Sequence, residues 1–146
     1  MNAAEEINQR DGWMKVMGLT VTAASADEVT CEWDVDSRHH QGYGIVHGGV
    51  HCGVIESLAS IGAAIAAARN NKVVVGLENT TSFVRAVREG HLRATARPIT
   101  RGRRSQLWEC RIVDSEDRVV AVGRVRLLCL DAAEDLAGGA SFLLKD

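Results

Sequence analysis

The sequence predicts an α+β fold in which an antiparallel sheet of about five to six strands wraps around one long central helix. Residues 49–69 form the longest helical stretch, and they are apolar nearly all round, which is typical of a helix buried on every side. Alanines and glycines are frequent in that stretch, so a curved sheet can approach it closely. Strand-like runs lie on both sides of it, separated by short turn signals.

The elements follow one another in a simple order. Residues 3–12 are polar with few helix breakers and predict a short N-terminal helix. The predicted strands are, in chain order, residues 18–24, 28–35, 72–87, 90–100, 104–114 and 117–130. The first two strands form a hairpin around the turn at 25–27, and a polar, Gly-rich loop at 37–47 leads into the long helix. Asn70 and Asn71 end that helix, because Asn tolerates the left-handed backbone of a helix stop.

Three further features complete the predicted architecture. Pro98 has no backbone N–H to donate and therefore predicts an edge position or a bulge in its strand. The tail from Asp131 onward, with Gly138 and Gly139, is expected to be loose. A single sheet of this kind exposes an edge, so pairing with a second copy of the chain is expected.

Length and composition predict one soluble cytoplasmic domain over residues 1–146. With 46% hydrophobic and 25% charged residues, the 146-residue chain can bury a core of its own. The net charge of −2 argues against general nucleic-acid binding, because phosphate contacts need clustered positive charge. The four cysteines are widely spaced, which predicts reduced thiols rather than a disulfide framework. The apolar run at 50–68 is too rich in Ala and Gly, and too interrupted, to predict a membrane span.

The segment Gln41–Ser60, QGYGIVHGGVHCGVIESLAS, carries the strongest functional signal. A glycine-rich turn with one histidine runs directly into the apolar helix, and the helix carries a single carboxylate, Glu56. No basic residue lies near Glu56 in sequence, and burying an unpaired carboxylate costs free energy. Glu56 is therefore predicted to be a reactive group in a pocket.

The motif resembles a known family. Gln41, the spaced Gly44, the triplet His47-Gly48-Gly49 and an acidic residue nine positions after the histidine match hotdog-fold acyl-CoA thioesterases of the phenylacetate-degradation type. The most similar variety is the 4-hydroxybenzoyl-CoA thioesterase with a helix glutamate, Glu56 here. The likeness covers about residues 30–130 and continues through IESLAS, TTSFVRAV, RGRRSQLW and VVAVGRVRL.

The resemblance implies a role for each motif residue and no cofactor. Glu56 is the nucleophile or general base that acts on the thioester carbonyl, and the Gly48 N–H polarises the carbonyl oxygen. Gln41 orients the thioester, and His47 supports the loop. Ser60 places the hydrolytic water, although the variety carries Thr there; Ser keeps the hydroxyl and loses only a methyl group.

These roles predict a dimer with shared active sites. Gly48 and Glu56 are eight residues apart, so on one helix they lie roughly 12 Å apart along the axis. A reacting atom must lie about 3 Å from both its nucleophile and its oxyanion donor. The two groups therefore converge only when they come from different subunits with antiparallel helices. The resemblance also implies a tetramer built as a dimer of dimers.

Binding of coenzyme A has more than one candidate site. Arg101, Arg103 and Arg104 form a basic turn that is either a phosphate clamp or a solvated hairpin tip. Arg85 and Arg88 are a second, weaker pair. The remaining candidates are Gly49, which allows close approach to the backbone, and Asn79, Thr80 and Thr81, which are expected to line the acyl or pantetheine channel.

Other interpretations of the motif remain open. Glu56 is alternatively a structural glutamate satisfied by hydrogen bonds. His47 and His51 lie four apart and could bind a metal together with Glu56 or Cys52, but no second ligand pair follows, so no metal is predicted. Cys52 near a helix start is alternatively a nucleophile, although a packed thiol is the simpler interpretation. His39 and His40 flank the loop without an assigned role.

The leading functional hypothesis is hydrolysis of an aromatic acyl-CoA such as 4-hydroxybenzoyl-CoA. A thioesterase for aliphatic or carrier-bound acyl groups would use the same residues. A non-catalytic acyl-CoA-binding hotdog protein is disfavoured, because Glu56 and both motif glycines are present. Hotdog dehydratases fit poorly, because their histidine–aspartate arrangement has no counterpart at matching positions.

Overall fold

The computed structural model describes residues 1–140. Its helices are α1 (Ala3–Asn8), α2 (Trp13–Val16) and α3 (Gly48–Ala68), with a short 3-10 helix at Ser37–His39. Its strands are β1 (Thr20–Ala24), β2 (Val29–Val35), β3 (Lys72–Phe83), β4 (Gly90–Arg101), β5 (Ser105–Asp114) and β6 (Val119–Asp131).

The six strands form one antiparallel sheet in the order β1-β2-β4-β5-β6-β3. The helix α3 packs on its inner face, and the core between them is apolar, with Leu58, Ile65, Trp108 and Leu127 fully buried. The predicted fold class, a sheet wrapped around one long helix, is confirmed. The twelve-residue strand β3 pairs with β6 on one side and lies at the edge of the sheet on the other.

The N-terminal helix predicted at residues 3–12 is wrong in extent. The chain forms two short helices instead, α1 and α2, because Gly12 between them has φ of 133°, which no helix accommodates. The strand predicted at 72–87 ends at Phe83, after which the Val84 and Arg85 N–H groups both bond the Val120 carbonyl.

Pro98 lies at a β-bulge, as predicted. The pairing of β2 with β4 ends at Ala96, and the register between β4 and β5 shifts between Pro98 and Thr100. Proline has no N–H to donate, and it fits at this position because β4 is paired there with β5 alone.

The tail is only partly described, and its described part is more ordered than predicted. The Ala132 N–H bonds the Asn71 carbonyl at 3.1 Å, and Leu136 and Gly139 exchange two backbone hydrogen bonds across a tight turn. Residues 141–146 of the predicted loose tail lie outside the described residues.

The helix α3 is long and apolar enough to cross a membrane by length and composition alone. Its residues are mostly buried beneath the sheet, and no other helix within residues 1–140 meets the same criterion. It is the core helix of the fold.

All four cysteines are free thiols, and burial raises the pKa of Cys31 well above its usual range and that of Cys110 to about 12.

Two glycines of α3 face tryptophans in very different surroundings. A Cβ at Gly62 would overlap the ring of Trp108, which is fully buried and whose Nε1 donates to Gln106 Oε1 at 2.8 Å. A Cβ at Gly53 would overlap the ring of Trp13, which is 40% exposed on the short helix α2. The Trp108 ring is fixed, whereas the Trp13 ring is free to move outward.

Gly62→Ala is expected to lower the free energy of unfolding by about 1–3 kcal/mol, because the buried indole must be displaced. The matched change Gly53→Ala is expected to be nearly neutral, since displacement of an exposed ring offsets a gain of roughly 0.5–1 kcal/mol from helix propensity. Urea unfolding followed by circular dichroism measures both. Equal destabilisation by the two variants would contradict this account of the packing.

Candidate active site

The N-terminus of α3 is built by the motif histidine and the glycines that follow it. His47 has extended backbone and caps the helix, its Nδ1 accepting a hydrogen bond of 2.7 Å from the Gly49 N–H. The His47 N–H donates to the His39 carbonyl at 2.8 Å and so ties the helix start to the preceding loop. This cap explains why the helix begins at Gly48, one residue before the predicted start. Gly48 is the first helical residue, so its N–H has no intrahelical acceptor.

Glu56 lies half-buried in the middle of α3, next to the edge strand β3. Asn79 Nδ2 donates to Glu56 Oε2 at 3.2 Å, and the Ser60 hydroxyl donates to Oε1 at 3.5 Å. Ser60 is therefore beside the carboxylate, as the four-residue spacing predicts. Within residues 1–140 Glu56 forms no ion pair, so its neighbours orient the carboxylate without neutralising it.

Strand β3 makes room for the carboxylate at one position. A Cβ at Gly76 would overlap Glu56 Oε1, and the register of β3 against β6 shifts between Gly76 and Glu78. The bulge and the missing side chain together let the strand pass close to Glu56. Sequence reasoning missed Gly76, although a lone glycine inside a strand is a signal of such close approach.

A chain of hydrogen bonds on β3 fixes the side chain that holds Glu56. Asn79 Nδ2 also donates to the Cys52 carbonyl of α3 at 3.1 Å, and its Oδ1 accepts a bond of 2.7 Å from Thr81. Asn79 was predicted only as a channel-lining residue, yet it is the direct partner of the carboxylate. Thr80 is exposed and, since strand side chains alternate, lies on the opposite face of β3 from Asn79 and Thr81.

A cleft of about 300 Å³ opens beside the start of α3. It is lined by Gln41, Ile45, Val46, Gly48, His51, Phe83, Val84, Arg85 and Ala86. The Phe83 ring packs over the Gly48 backbone, because a Cβ on Gly48 would lie 2.7 Å from Phe83 Cζ. Gln41 and Gly48 both line this cleft, and Gln41 Oε1 accepts a hydrogen bond from the Tyr43 N–H.

Within one protomer the cleft and the carboxylate are separate. Glu56 is not among the residues that line the cleft. Eight residues of helix separate it from Gly48, which corresponds to roughly 12 Å along the axis of α3. The protomer therefore presents two half-sites, one around the Gly48 N–H and one around the Glu56 carboxylate.

The predicted basic turn lies at the other end of α3. Arg101 Nη1 donates to the Ala26 carbonyl at 2.6 Å and to Asp27 Oδ1 at 2.8 Å, so it braces the β1–β2 turn. Arg101 and Arg103 line a pocket of about 410 Å³ together with residues from the last turn of α3, and Arg104 is exposed. Within the protomer this turn is joined neither to the cleft nor to Glu56.

The two arginines of the second candidate pair, Arg85 and Arg88, have different surroundings. Arg88 Nη1 donates to the Tyr43 carbonyl at 2.6 Å and so holds the loop. Arg85 lines the cleft and is exposed. Of the five arginines considered from sequence, Arg85 is the one that lies at the cleft.

His39 and His40, which flank the loop, both form hydrogen bonds with backbone groups. His39 is buried, with Nε2 2.8 Å from the Met17 carbonyl and Nδ1 accepting from the Asp36 N–H at 3.0 Å. His40 Nε2 lies 2.7 Å from the Arg88 carbonyl. Across residues 1–140 no group of three or more His, Cys, Asp or Glu side chains could hold a metal ion.

His51 differs from these histidines. It is only 3% exposed, its Nδ1 has no hydrogen-bond partner within residues 1–140, and its ring lines the cleft 6.3 Å from the Phe83 ring centroid. Burial lowers the pKa of His51 to about 4, so its imidazole is neutral at pH 7. Sequence reasoning considered His51 as a metal ligand or as a residue that simply lies near the helix start.

Comparison with known proteins places this arrangement in a family. Residues 43–121, more than half of the chain, match the model of the thioesterase superfamily. The chain belongs to the thioesterase superfamily. The proofreading thioesterase EntH of Cronobacter sakazakii is 35% identical over 75% of this chain and 79% of its own length.

Solved structures agree with that membership. Thioesterase HI1161 of Haemophilus influenzae is 30% identical, with a TM-score of 0.84 over 90% of this chain and 92% of its own. The Mycobacterium tuberculosis protein Rv1847/MT1895 is 44% identical, with a TM-score of 0.80 over 82% of this chain and 96% of its own. The predicted relationship to hotdog thioesterases is confirmed at the level of the superfamily, and the chain is a thioester hydrolase.

Proposed function

We propose that this thioester hydrolase cleaves aromatic acyl-CoA thioesters, such as 4-hydroxybenzoyl-CoA, to the free acid and CoA. The observation that carries the proposal is the pair of half-sites on α3: a carboxylate oriented by neutral donors and a helix-start N–H that opens onto a cleft. Glu56 acts as nucleophile or general base, and the Gly48 N–H of the partner subunit binds the carbonyl oxygen.

This assignment requires a twofold dimer with antiparallel α3 helices. Placing Gly48 of one protomer beside Glu56 of the other brings the half-sites together twice, which forms two equivalent composite sites. The edge strand β3 carries exposed apolar side chains, with Leu77 56% and Phe83 58% exposed. An unpaired edge of twelve residues next to Glu56 is a suitable surface for a second copy. A dimer of dimers is the proposed tetramer.

The chemistry follows from charge development at the carbonyl. Attack by Glu56, or by water that Glu56 deprotonates, puts negative charge on the carbonyl oxygen. The Gly48 N–H and the positive end of the α3 dipole stabilise that charge. Collapse of the adduct breaks the carbon–sulfur bond and releases CoA thiolate. When Glu56 acts as a base, the proton that it took from water passes to the thiolate. When Glu56 attacks directly, water then hydrolyses the mixed anhydride, which regenerates the Glu56 carboxylate, and the proton released from that water passes to the thiolate. In either route water supplies the hydroxyl of the acid product, and Ser60 is placed to orient it.

The cleft suggests where the remaining substrate groups bind. Gln41 lies beside Gly48 and is proposed to orient the thioester, and His47 keeps the helix start in place. Arg85 lines the cleft and is therefore the candidate arginine best placed to bind a phosphate of CoA in the cleft of its own protomer. Arg101, Arg103 and Arg104 remain proposed phosphate ligands that would act across a subunit boundary, with Thr80 and Thr81 lining the channel.

The proposal is tested by free-thiol release from a panel of thioesters. Wild type is expected to turn over benzoyl- and hydroxybenzoyl-CoA with higher kcat/KM than hexanoyl- or decanoyl-CoA. The same acyl groups on a pantetheinylated carrier protein test the carrier-bound alternative. Higher kcat/KM on aliphatic or carrier-bound substrates would overturn the aromatic CoA assignment. CoA binding without any turnover would favour a non-catalytic binding protein.

A further inference from the structure

A tryptophan from the N-terminal segment covers α3 one turn before the proposed catalytic carboxylate. A Cβ at Gly53 would overlap three carbon atoms of the six-membered ring of Trp13, so the indole packs directly on the helix backbone there. Trp13 is nevertheless 40% exposed, whereas Trp33 and Trp108 are buried. An aromatic ring that rests on the helix with one edge and is open on the other offers a large apolar surface to a bound group. The roles proposed above do not use Trp13.

The Trp13 ring and the Glu56 carboxylate border the same part of the α3 surface. Gly53 and Glu56 are three residues apart, so they are neighbours on the helix, and helical side chains lean toward the N-terminus. Asn79 Nδ2 donates to Glu56 Oε2 at 3.2 Å and to the Cys52 carbonyl at 3.1 Å. Because one amide nitrogen reaches both acceptors, the carboxylate lies next to the peptide group that joins Cys52 to Gly53. That is the peptide group beside the Trp13 ring.

The composite site of the proposed function directs the acyl group toward this surface. When antiparallel helices place Gly48 of one protomer opposite Glu56 of the other, the loop that precedes Gly48 lies beside the helix residues that follow Glu56. The cleft is lined by residues of that loop and is where CoA is proposed to bind. The acyl group is on the other side of the thioester carbonyl from CoA. It therefore extends past Glu56 in the opposite direction, toward Gly53 and Trp13.

We propose that Trp13 forms one wall of the acyl-binding site and packs against the acyl group while Glu56 of the same protomer acts on the thioester carbonyl. The inference rests on the composite site of the proposed function, but not on an aromatic substrate, because an indole packs against alkyl chains as well as rings. Gly53 and Glu56 lie about 4.5 Å apart along the axis of α3. A benzoyl ring or a hexanoyl chain spans that separation, and an acetyl group does not. Trp13 is thus a specificity-determining residue for the reach of the acyl group.

The kinetic test compares acyl groups that differ in reach. We measure kcat/KM for acetyl-, hexanoyl- and benzoyl-CoA with wild type, Trp13→Ala and Trp13→Phe. Trp13→Ala is expected to lower kcat/KM for hexanoyl- and benzoyl-CoA about tenfold more than for acetyl-CoA, since only the longer groups lose a contact. Trp13→Phe keeps a flat ring and is expected to show a smaller difference. An equal loss on all three thioesters, or no loss on any, would overturn the inference and leave the proposed function standing.

Two further variants separate the position of the ring from a general effect of surface substitution. Gly53→Ala keeps the indole but puts a methyl group where the ring now lies, so it is expected to lower kcat/KM for the longer acyl groups as well. Ile99→Ala removes a 48% exposed apolar side chain from β4 and is expected to keep the wild-type order of the three thioesters. A wild-type order in Gly53→Ala would contradict a contact between the acyl group and a ring held over Gly53.

Tryptophan fluorescence provides a readout that does not depend on turnover. All three tryptophans of the chain lie within residues 1–140, and of these Trp13 has the exposed ring, so its emission is the most sensitive to a bound group. Benzoyl-CoA, hexanoyl-CoA and CoA itself are titrated into Glu56→Gln protein and into the same protein carrying Trp13→Phe. The two acyl thioesters are expected to quench or shift the emission, CoA alone to leave it unchanged, and Trp13→Phe to abolish the response.

The fluorescence outcomes keep this inference separable from the proposed function. An acyl-dependent response that requires Trp13 supports the inference even when wild type hydrolyses no thioester. A response that CoA alone produces, or one that persists in Trp13→Phe, overturns it even when wild type hydrolyses all three thioesters.

Discussion

Glu56→Gln is expected to lower kcat by about a thousandfold, within the range that general acid–base groups contribute. The substitution keeps the length and shape of the side chain, so the fit against Gly76 is preserved. An amide oxygen can still accept the hydrogen bond from Asn79. What is lost is the negative charge that the proposed role of Glu56 needs, either to attack the carbonyl or to deprotonate water. Free-thiol release under saturating and limiting substrate measures kcat and kcat/KM, and KM is expected to change little.

The controls for Glu56→Gln address charge and position. Glu116→Gln makes the same chemical change on an exposed turn between β5 and β6 and is expected to leave kcat unchanged. Asn79→Ala keeps the carboxylate but removes the side chain that positions it, and a loss of about ten- to hundredfold is expected. If Glu56→Gln retains more than a tenth of wild-type kcat while its urea unfolding curve is unchanged, Glu56 is a structural glutamate.

The fold class could be predicted from the sequence because the patterns that indicate it lie within single helices, strands and turns. The helix around Glu56 is apolar on nearly every side, and the strands are separated by turn residues, so hydrophobic pattern and turn chemistry point to the same architecture. The boundaries that failed depend on single residues. Gly12 breaks the N-terminal helix through its positive φ, and the His47 cap starts α3 one residue early. Neither the backbone dihedral of Gly12 nor the cap formed by His47 is part of the hydrophobic pattern from which the boundaries were predicted.

The site residues that belong to the motif could also be predicted from the sequence, whereas the contacts that β3 makes with them could not. Ser60 lies next to Glu56 because the helix period places it there, which a sequence shows directly. Asn79 and Gly76 reach the carboxylate through the register of β3 against α3, and that register includes a bulge. The pairing of Phe83 with Gly48 likewise depends on where an edge strand ends. Contacts between distant segments of this kind require the fold itself.

Gly48→Pro is expected to reduce kcat by about 10²–10³, the usual effect of removing one oxyanion donor. Gly48 is the first residue of α3, where proline is well tolerated, and its predecessor His47 has the extended backbone that proline demands (φ −63°, ψ 133°). The substitution removes the N–H and adds a Cβ that must displace the exposed Phe83 ring. Gly48→Ala adds the same Cβ but keeps the N–H, so it is the matched control. Comparable losses in both variants would assign the effect to Phe83 rather than to the missing donor.

The two strongest variants together test whether the site is composite. Glu56→Gln and Gly48→Pro are each expected to be nearly inactive alone. Equal amounts, unfolded together and refolded, produce mixed dimers in about half of the population, and each mixed dimer regains one intact site from Glu56 of one chain and Gly48 of the other. Activity is therefore expected to recover to about a quarter of wild type. If both groups instead acted within one protomer, no mixed dimer would contain an intact site and co-refolding would restore nothing. Recovery of activity would thus establish that α3 of one subunit holds the carbonyl while α3 of its partner performs the attack.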